Sequence, residues 1–131
     1  WRDRTSELSK ESFIRHIAPF ENRGEEIGVT LHHPHGQIYA YSYLPPRVEK
    51  MLSSAERYKN EFGKVLFDEI LKKELSDKSR IVTQNEHWVA YVPYAARYPF
   101  EIHLAPLKPV ADLTELSPEQ CDSYPSIALV S

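Results

Sequence analysis

The sequence predicts an α+β chain, with an antiparallel sheet and helices packed on it. Two observations carry this. Runs near residues 27–43, 80–92 and 100–105 are rich in β-branched and aromatic residues, and turn residues bound them. Between the first two, Val48, Met51, Leu52, Ala55, Tyr58, Phe62, Val65, Leu66, Glu69, Ile70 and Leu75 recur at three- and four-residue steps, the period of one helical face.

Residues 1–18 predict a short opening helix, with Leu8, Phe13, Ile14 and Ile17 as its apolar positions and Pro19 as its stop. Phe20 to Gly24 reads as a strand end entering a turn, because Asn22 and Gly24 tolerate positive φ. Ile27 to Tyr43 predicts a long strand, bulged near Gly28 and Gly36 and closed by Pro45-Pro46. The helical stretch follows, expected to pack one face on a sheet, with Gly63 bending or splitting it.

Ser76 to Ser79 is a turn. Arg80–Gln84 and His87–Val92 predict paired strands around Asn85-Glu86. Pro93 to Pro99 is a loop, and Phe100 to Ala105 a further strand ended by Pro106. Ser117-Pro118-Glu119-Gln120 carries a helix start, with Ser as cap and Gln three residues later. Pro125 should then stop that helix.

The 131 residues fit one domain by size, and 41% apolar with 27% charged residues fits a folded, soluble chain. Sixteen basic against nineteen acidic residues give −3, so no basic excess points to nucleic acid or to an anionic membrane. No apolar run is long enough to span a bilayer, and Trp1-Arg2-Asp3-Arg4 is no signal peptide. The single Cys121 excludes an internal disulfide framework and suits a reducing compartment. With no initial methionine, a fragment of a longer protein is expected.

Three of the six histidines fall at His32, His33 and His35, interrupted by Pro34 and followed by Gly36-Gln37. In an extended chain His33, His35, Gln37, Tyr39 and Tyr41 share one face. Two imidazoles and a carboxamide in a row could bind one metal or divide catalytic work, since imidazole serves as nucleophile, base, acid or ligand near neutral pH. The bland alternative is ordinary strand histidines or an adventitious metal patch.

Pro34 stiffens the segment, and Gly36 leaves room for a ligand or phosphate near the strand. Amides of Gly28, Val29 and Thr30, with the Asn22 side chain, could face phosphate oxygens. No Walker-type loop is present. His87 and His103 are expected to be strand histidines, His16 a surface one, Trp88 and Phe100 core, and Cys121 an unreactive helix residue.

Together Phe20-Glu21-Asn22-Arg23-Gly24, Gly28-Val29-Thr30 and His33-Pro34-His35-Gly36-Gln37-Ile38-Tyr39-Ala40 resemble the active-site region of the galactose-1-phosphate uridylyltransferase family, in the histidine-triad superfamily. Glu86-His87-Trp88-Val89-Ala90-Tyr91-Val92-Pro93, Pro99-Phe100-Glu101, Leu104-Ala105-Pro106, Trp1 and Glu7-Leu8 add to it. The resemblance runs from residue 1 to about 121 and fades where the family continues a helix past Pro125.

It implies a histidine-triad-like antiparallel sheet with packed helices, in a dimeric protein more than twice this length. Residues 1–47 would end the N-terminal half with its catalytic strand, and 48–131 would begin the C-terminal half. His35 would be the nucleophile, attacking the α-phosphorus of UDP-glucose and passing the uridylyl group to galactose 1-phosphate by a ping-pong route. The His33 carbonyl would accept from the ring's other nitrogen. Asn22, Gly28, Val29, Thr30 and Gln37 would bind the substrate.

Hydrolases of the superfamily carry a third histidine where Gln37 stands. A glutamine binds phosphoryl oxygens without shuttling protons, which favours transfer. His33 would be a zinc ligand, but the family's Cys-x-x-Cys partners are absent from this sequence, and iron is left unassigned because Met51 stands near the family's glutamate. The resemblance implies galactose metabolism in the cytoplasm, with no nucleic-acid or membrane partner. The runners-up are another nucleotidyltransferase of the superfamily, using ADP-glucose or a dinucleoside polyphosphate, and an inactive remnant. These residues alone are expected to be inactive and to fold poorly, since severed sheets expose edges.

Overall fold

The computed structural model describes residues 1–22 and 36–128. It forms two compact units, 1–51 and 52–131.

In the first unit α1 (Arg2–Leu8) packs on β1 (His16–Glu21), which pairs antiparallel with β2 (Gly36–Tyr41). The predicted opening helix is thus shorter than its apolar spacing suggested. Ile17 and Pro19 lie within a strand, in register with Ala40 and Ile38. Proline lacks the amide a central strand needs, and among the described residues this sheet has two strands, which leaves each an edge where that amide is not called for. Of the long strand expected over Ile27–Tyr43, residues 36–43 are described; β2 ends at Tyr41, so Ser42 and Tyr43 fall outside the strand.

Helix α2 (Pro46–Phe62) follows, and the boundary between the units falls inside it, after Met51. Gly63 splits the predicted helix in two: it takes φ +67° and its amide closes on the Lys59 carbonyl at 2.8 Å, a left-handed helix end. Helix α3 (Leu66–Asp77) resumes beyond it. The expected buried face is absent from α2, where no residue is buried and Met51, Leu52 and Phe62 are exposed. Its apolar period records a helix without recording what covers it.

The second unit is a three-stranded antiparallel sheet in the order β3 (Ile81–Gln84), β4 (Trp88–Tyr91), β5 (His103–Pro106). All four residues of β4 are buried, because the strand is covered on both faces. Val89 and Tyr91 meet Leu71, with Leu75, Ile81, Ala105 and Leu107 around them. Trp88 and Ala90 meet Leu116 and Ile127, with Leu104, Val110 and Cys121 around them. The first group packs α3 on the sheet; the second packs α4 (Pro118–Ala128) on the opposite face. On α3 the buried residues are Leu71 and Glu74, while Ile70 from the predicted face stays exposed.

The start of α4 follows the sequence expectation closely. Ser117 Oγ accepts from the Gln120 amide at 3.2 Å, and Gln120 Oε1 accepts from the Ser117 amide at 2.9 Å, a reciprocal capping box. Its end does not: α4 runs through Pro125 to Ala128. Side chains occupy carbonyls around the proline. Trp88 Nε1 (2.8 Å) and Ser123 Oγ (3.2 Å) donate to the Gln120 carbonyl; Asn85 Nδ2 (3.0 Å) and Ser126 Oγ (2.8 Å) donate to that of Ser123. These bonds fasten α4 to the sheet and its hairpin turn on either side of the proline, whose missing amide would have served the Cys121 carbonyl.

Phe100, expected in the core, is 97% exposed at φ +62°, and β5 begins only at His103. No helix of the described residues is long and apolar enough to cross a membrane.

Candidate active site

Five of the seven predicted site residues, Gly28, Val29, Thr30, His33 and His35, lie outside the described residues. Asn22 and Gln37 lie within them, and both are exposed.

The β1–β2 ladder sets the geometry around these two. Phe20 pairs with Gln37 and Glu21 with Gly36, so Asn22, next after Glu21, and Gln37 come to the same end of the ladder although fifteen residues separate them in sequence. Paired residues share a face in an antiparallel sheet. One face therefore carries Gln37, Tyr39 and Tyr41 from β2 with Phe20, Ala18 and His16 from β1. It is aromatic beyond Gln37. Phe20 meets Tyr39 edge-on at 4.7 Å between ring centroids, Tyr39 meets Tyr41 at 6.2 Å, and His16 stacks on Tyr41 at 6.1 Å. His16, predicted at the surface, is half-buried by that stacking. The sequence places Tyr39 and Tyr41 beside Gln37 and Phe20 at a strand end; that Phe20 joins this row follows only from the pairing of β1 with β2.

The space expected at Gly36 for a ligand is taken by Trp1. A β-carbon placed there would stand 2.8 Å from Trp1 Cζ2. No local sequence pattern signals this contact, because thirty-five residues separate Trp1 from Gly36.

His87 and His103 belong to the second unit. His87 precedes β4, where its carbonyl accepts from the Leu107 amide at 2.8 Å. His103, in β5, places Nε2 3.0 Å from Glu101 Oε1. The Arg97 guanidinium (2.7 Å) and backbone amide (2.6 Å) also donate to the Glu101 carboxylate. Arg97 foremost, with His103, holds that carboxyl down at about 2, below its ordinary 4.5. Cys121 is a half-buried helix residue, as expected.

Among the described residues no group of three or more His, Cys, Asp or Glu could hold a metal. With one cysteine in the sequence, the Cys-x-x-Cys pair that would join His33 on zinc cannot come from these residues. Met51, near the family's glutamate, lies in α2 and offers no carboxylate.

A two-stranded antiparallel ladder, followed by a helix-covered three-stranded antiparallel sheet, makes the described residues an α+β chain. Two family models match it in tandem: "Galactose-1-phosphate uridyl transferase, N-terminal domain" over residues 1–45 and "Galactose-1-phosphate uridyl transferase, C-terminal domain" over residues 51–129. The chain belongs to the galactose-1-phosphate uridylyltransferase family.

It is similar to the galactose-1-phosphate uridylyltransferase of Streptomyces lividans, with 47% identity over 98% of this chain and 36% of that protein. The Thermotoga maritima enzyme of that name is 40% identical over 99% of this chain and 40% of its own length. A solved structure of a uridylyltransferase superposes with TM-score 0.89 at 36% identity, covering 98% of this chain and 40% of the other. An ADP-glucose phosphorylase from Arabidopsis thaliana with bound ADP-glucose superposes with TM-score 0.74 at 28% identity, covering 88% and 36%. The chain thus spans about two fifths of the length of these relatives. The match also runs to residue 129, further than the fading expected past Cys121.

Proposed function

We infer that the protein carrying this sequence transfers a uridylyl group between UDP-glucose and galactose 1-phosphate through a covalent uridylyl-His35. The observation that best supports this is the β1–β2 register, which brings Asn22 and Gln37 to the end of the ladder where the His33-Pro34-His35 string joins Gly36.

An unprotonated nitrogen of His35 attacks the α-phosphorus. The phosphorus–oxygen bond to the sugar phosphate breaks, and glucose 1-phosphate leaves as a stable anion needing little acid assistance. A phosphate oxygen of galactose 1-phosphate then attacks the same phosphorus, the phosphorus–nitrogen bond breaks, and His35 is regenerated. Asn22, Gly28, Val29 and Thr30 hold the nucleotide. Gln37 donates to the phosphoryl oxygens; as an amide it cannot deliver a proton, which suits transfer over hydrolysis. Residues 1–47 belong to the half that carries this strand and 48–131 to the other half. His33 is the ligand these residues would offer to zinc, its partners coming from outside them. A cytoplasmic homodimer completes the reading.

The test incubates the protein, with whatever flanking sequence its gene encodes, with UDP-glucose radiolabelled in the α-phosphate. Acid-labile label bound to protein and absent from His35→Ala is expected. Label that persists in His35→Ala overturns the nucleophile. The similarity to an ADP-glucose phosphorylase favours a second reading, in which the nucleotide is ADP-glucose. Labelling by ADP-glucose in preference to UDP-glucose selects it, and no labelling by either indicates an inactive relative.

A further inference from the structure

We propose that Tyr39 and Ala18 form the shelf for the hexose ring of the sugar phosphate, with Phe20 as its wall. This deepens the uridylyl-transfer reading above and rests on it.

The β1–β2 register orders the face that carries Gln37. Phe20 stands opposite Gln37, Ala18 opposite Tyr39 and His16 opposite Tyr41. Asn22 lies beyond the Gln37 pair at the end of the ladder, and Tyr39 lies on the other side of it. Residues on one face of a strand are two apart, so Tyr39 stands roughly 7 Å along β2 from Gln37.

In the reading above Asn22 holds the nucleotide and Gln37 the phosphoryl oxygens. A nucleotide at the Asn22 end directs the rest of the substrate the other way, past Phe20 to Tyr39. A bridging oxygen, the β-phosphorus and an ester oxygen separate the α-phosphorus from the anomeric carbon. That span is of the order of the two-residue step, so the pyranose falls beside Tyr39.

The side chains there fit a sugar. One face of a pyranose is lined with C–H groups that pack flat on an aromatic ring, while its hydroxyls point outward. Tyr39 is 49% exposed. Phe20 meets it with the ring planes at 75°, so the two rings make a corner. Ala18 ends at its β-carbon and leaves open the cross-strand space that a larger residue would fill. Tyr41, next in the row, is less accessible: His16 stacks on it at 24°, and Tyr43 meets it at 5.4 Å. The axial 4-hydroxyl of galactose leaves the C–H groups of C3, C4 and C5 as one apolar patch, so galactose gains more from the ring than glucose does.

The test uses the protein with the flanking sequence its gene encodes. It measures kcat, the KM for galactose 1-phosphate and for UDP-glucose, inhibition by UDP (which has no hexose) and the melting temperature. The variants are Tyr39→Ala, Tyr39→Leu, Tyr39→Phe and Ala18→Leu. Tyr39→Ala is expected to raise the KM for galactose 1-phosphate ~10-fold, and that for UDP-glucose by less, with inhibition by UDP unchanged. Tyr39→Phe keeps the ring and both KM values. Ala18→Leu fills the shelf and raises both KM values, again without weakening inhibition by UDP.

An unchanged KM for galactose 1-phosphate in Tyr39→Ala and Ala18→Leu overturns the proposal. So does inhibition by UDP that weakens in step with the rise in KM, which marks general damage or a nucleotide on the shelf. If Tyr39→Ala does not fold, Tyr39→Leu, which keeps bulk and loses the ring, is read in its place. An unsubstituted protein that transfers no uridylyl group overturns the uridylyl-transfer reading and this proposal with it, whereas normal transfer with Tyr39 and Ala18 indifferent overturns this proposal alone.

Discussion

The indole N–H of Trp88 donates to the Gln120 carbonyl at 2.8 Å, a buried bond that ties the central strand β4 to helix α4. Trp88→Phe keeps most of the ring and loses the donor, while Ser123 Oγ still reaches that carbonyl. The expected loss is about 1 kcal/mol. Trp88→Ala also empties the core beside Ala90, Leu116 and Ile127 and should lose about 3–5 kcal/mol. Urea unfolding measures both; equal losses would mean that the hydrogen bond, not the ring, dominates.

Gly63 ends α2 at φ +67°, and a β-carbon there would meet nothing within 4 Å. Gly63→Ala therefore has a conformational cost alone, about 1–2 kcal/mol, and Gly63→Asn a smaller one, because asparagine tolerates the left-handed region. Thermal melts of the two variants give the order.

Glu74 is 3% exposed and receives Arg80 Nε at 2.9 Å and a second guanidinium nitrogen at 3.2 Å. Arg80→Met leaves a buried carboxylate without its cation and should lower the melting temperature markedly. The double variant Glu74→Leu/Arg80→Met should regain much of that loss, since removing both charges removes the desolvation penalty. No regain would show that the pair is not coupled.

The Glu101 carboxyl is held at about 2 in the folded chain, mainly by Arg97. Its folded value lies below its ordinary 4.5, so its stabilising contribution is complete above about 4.5 and is lost as pH falls toward 2. Glu101→Gln should lower the melting temperature at neutral pH, and the gap to the unsubstituted protein should close on acidification across that window. A gap independent of pH would show that the Arg97 and His103 contacts do not depend on the charge.

Gln37 is exposed and opposite Phe20, so Gln37→Ala should leave the melting temperature nearly unchanged. If its amide holds the phosphoryl oxygens, labelling by UDP-glucose should slow by ~100-fold. A normal labelling rate would remove Gln37 from the site.

The sequence by itself determined what is decided within a few residues. Ser117 and Gln120 cap one helix, Gly63 ends another, Asn85 turns the β3–β4 hairpin, and Trp88 enters the core. The His33 to Gln37 string, with Asn22 and Gly28 before it, was enough to point to the family, because residue identity and spacing carry that signal without coordinates. Tertiary structure decided the rest. Pro19 sits in a strand because β2 pairs with it, Pro125 sits in a helix that Trp88 and Asn85 tie to the sheet, and Glu74 is buried because Arg80 meets it. Gly36, which in sequence looked like room for a ligand, is the seat of an indole thirty-five residues away. Local rules weigh a residue against its chain neighbours, and these outcomes depended on partners that only folding brings close.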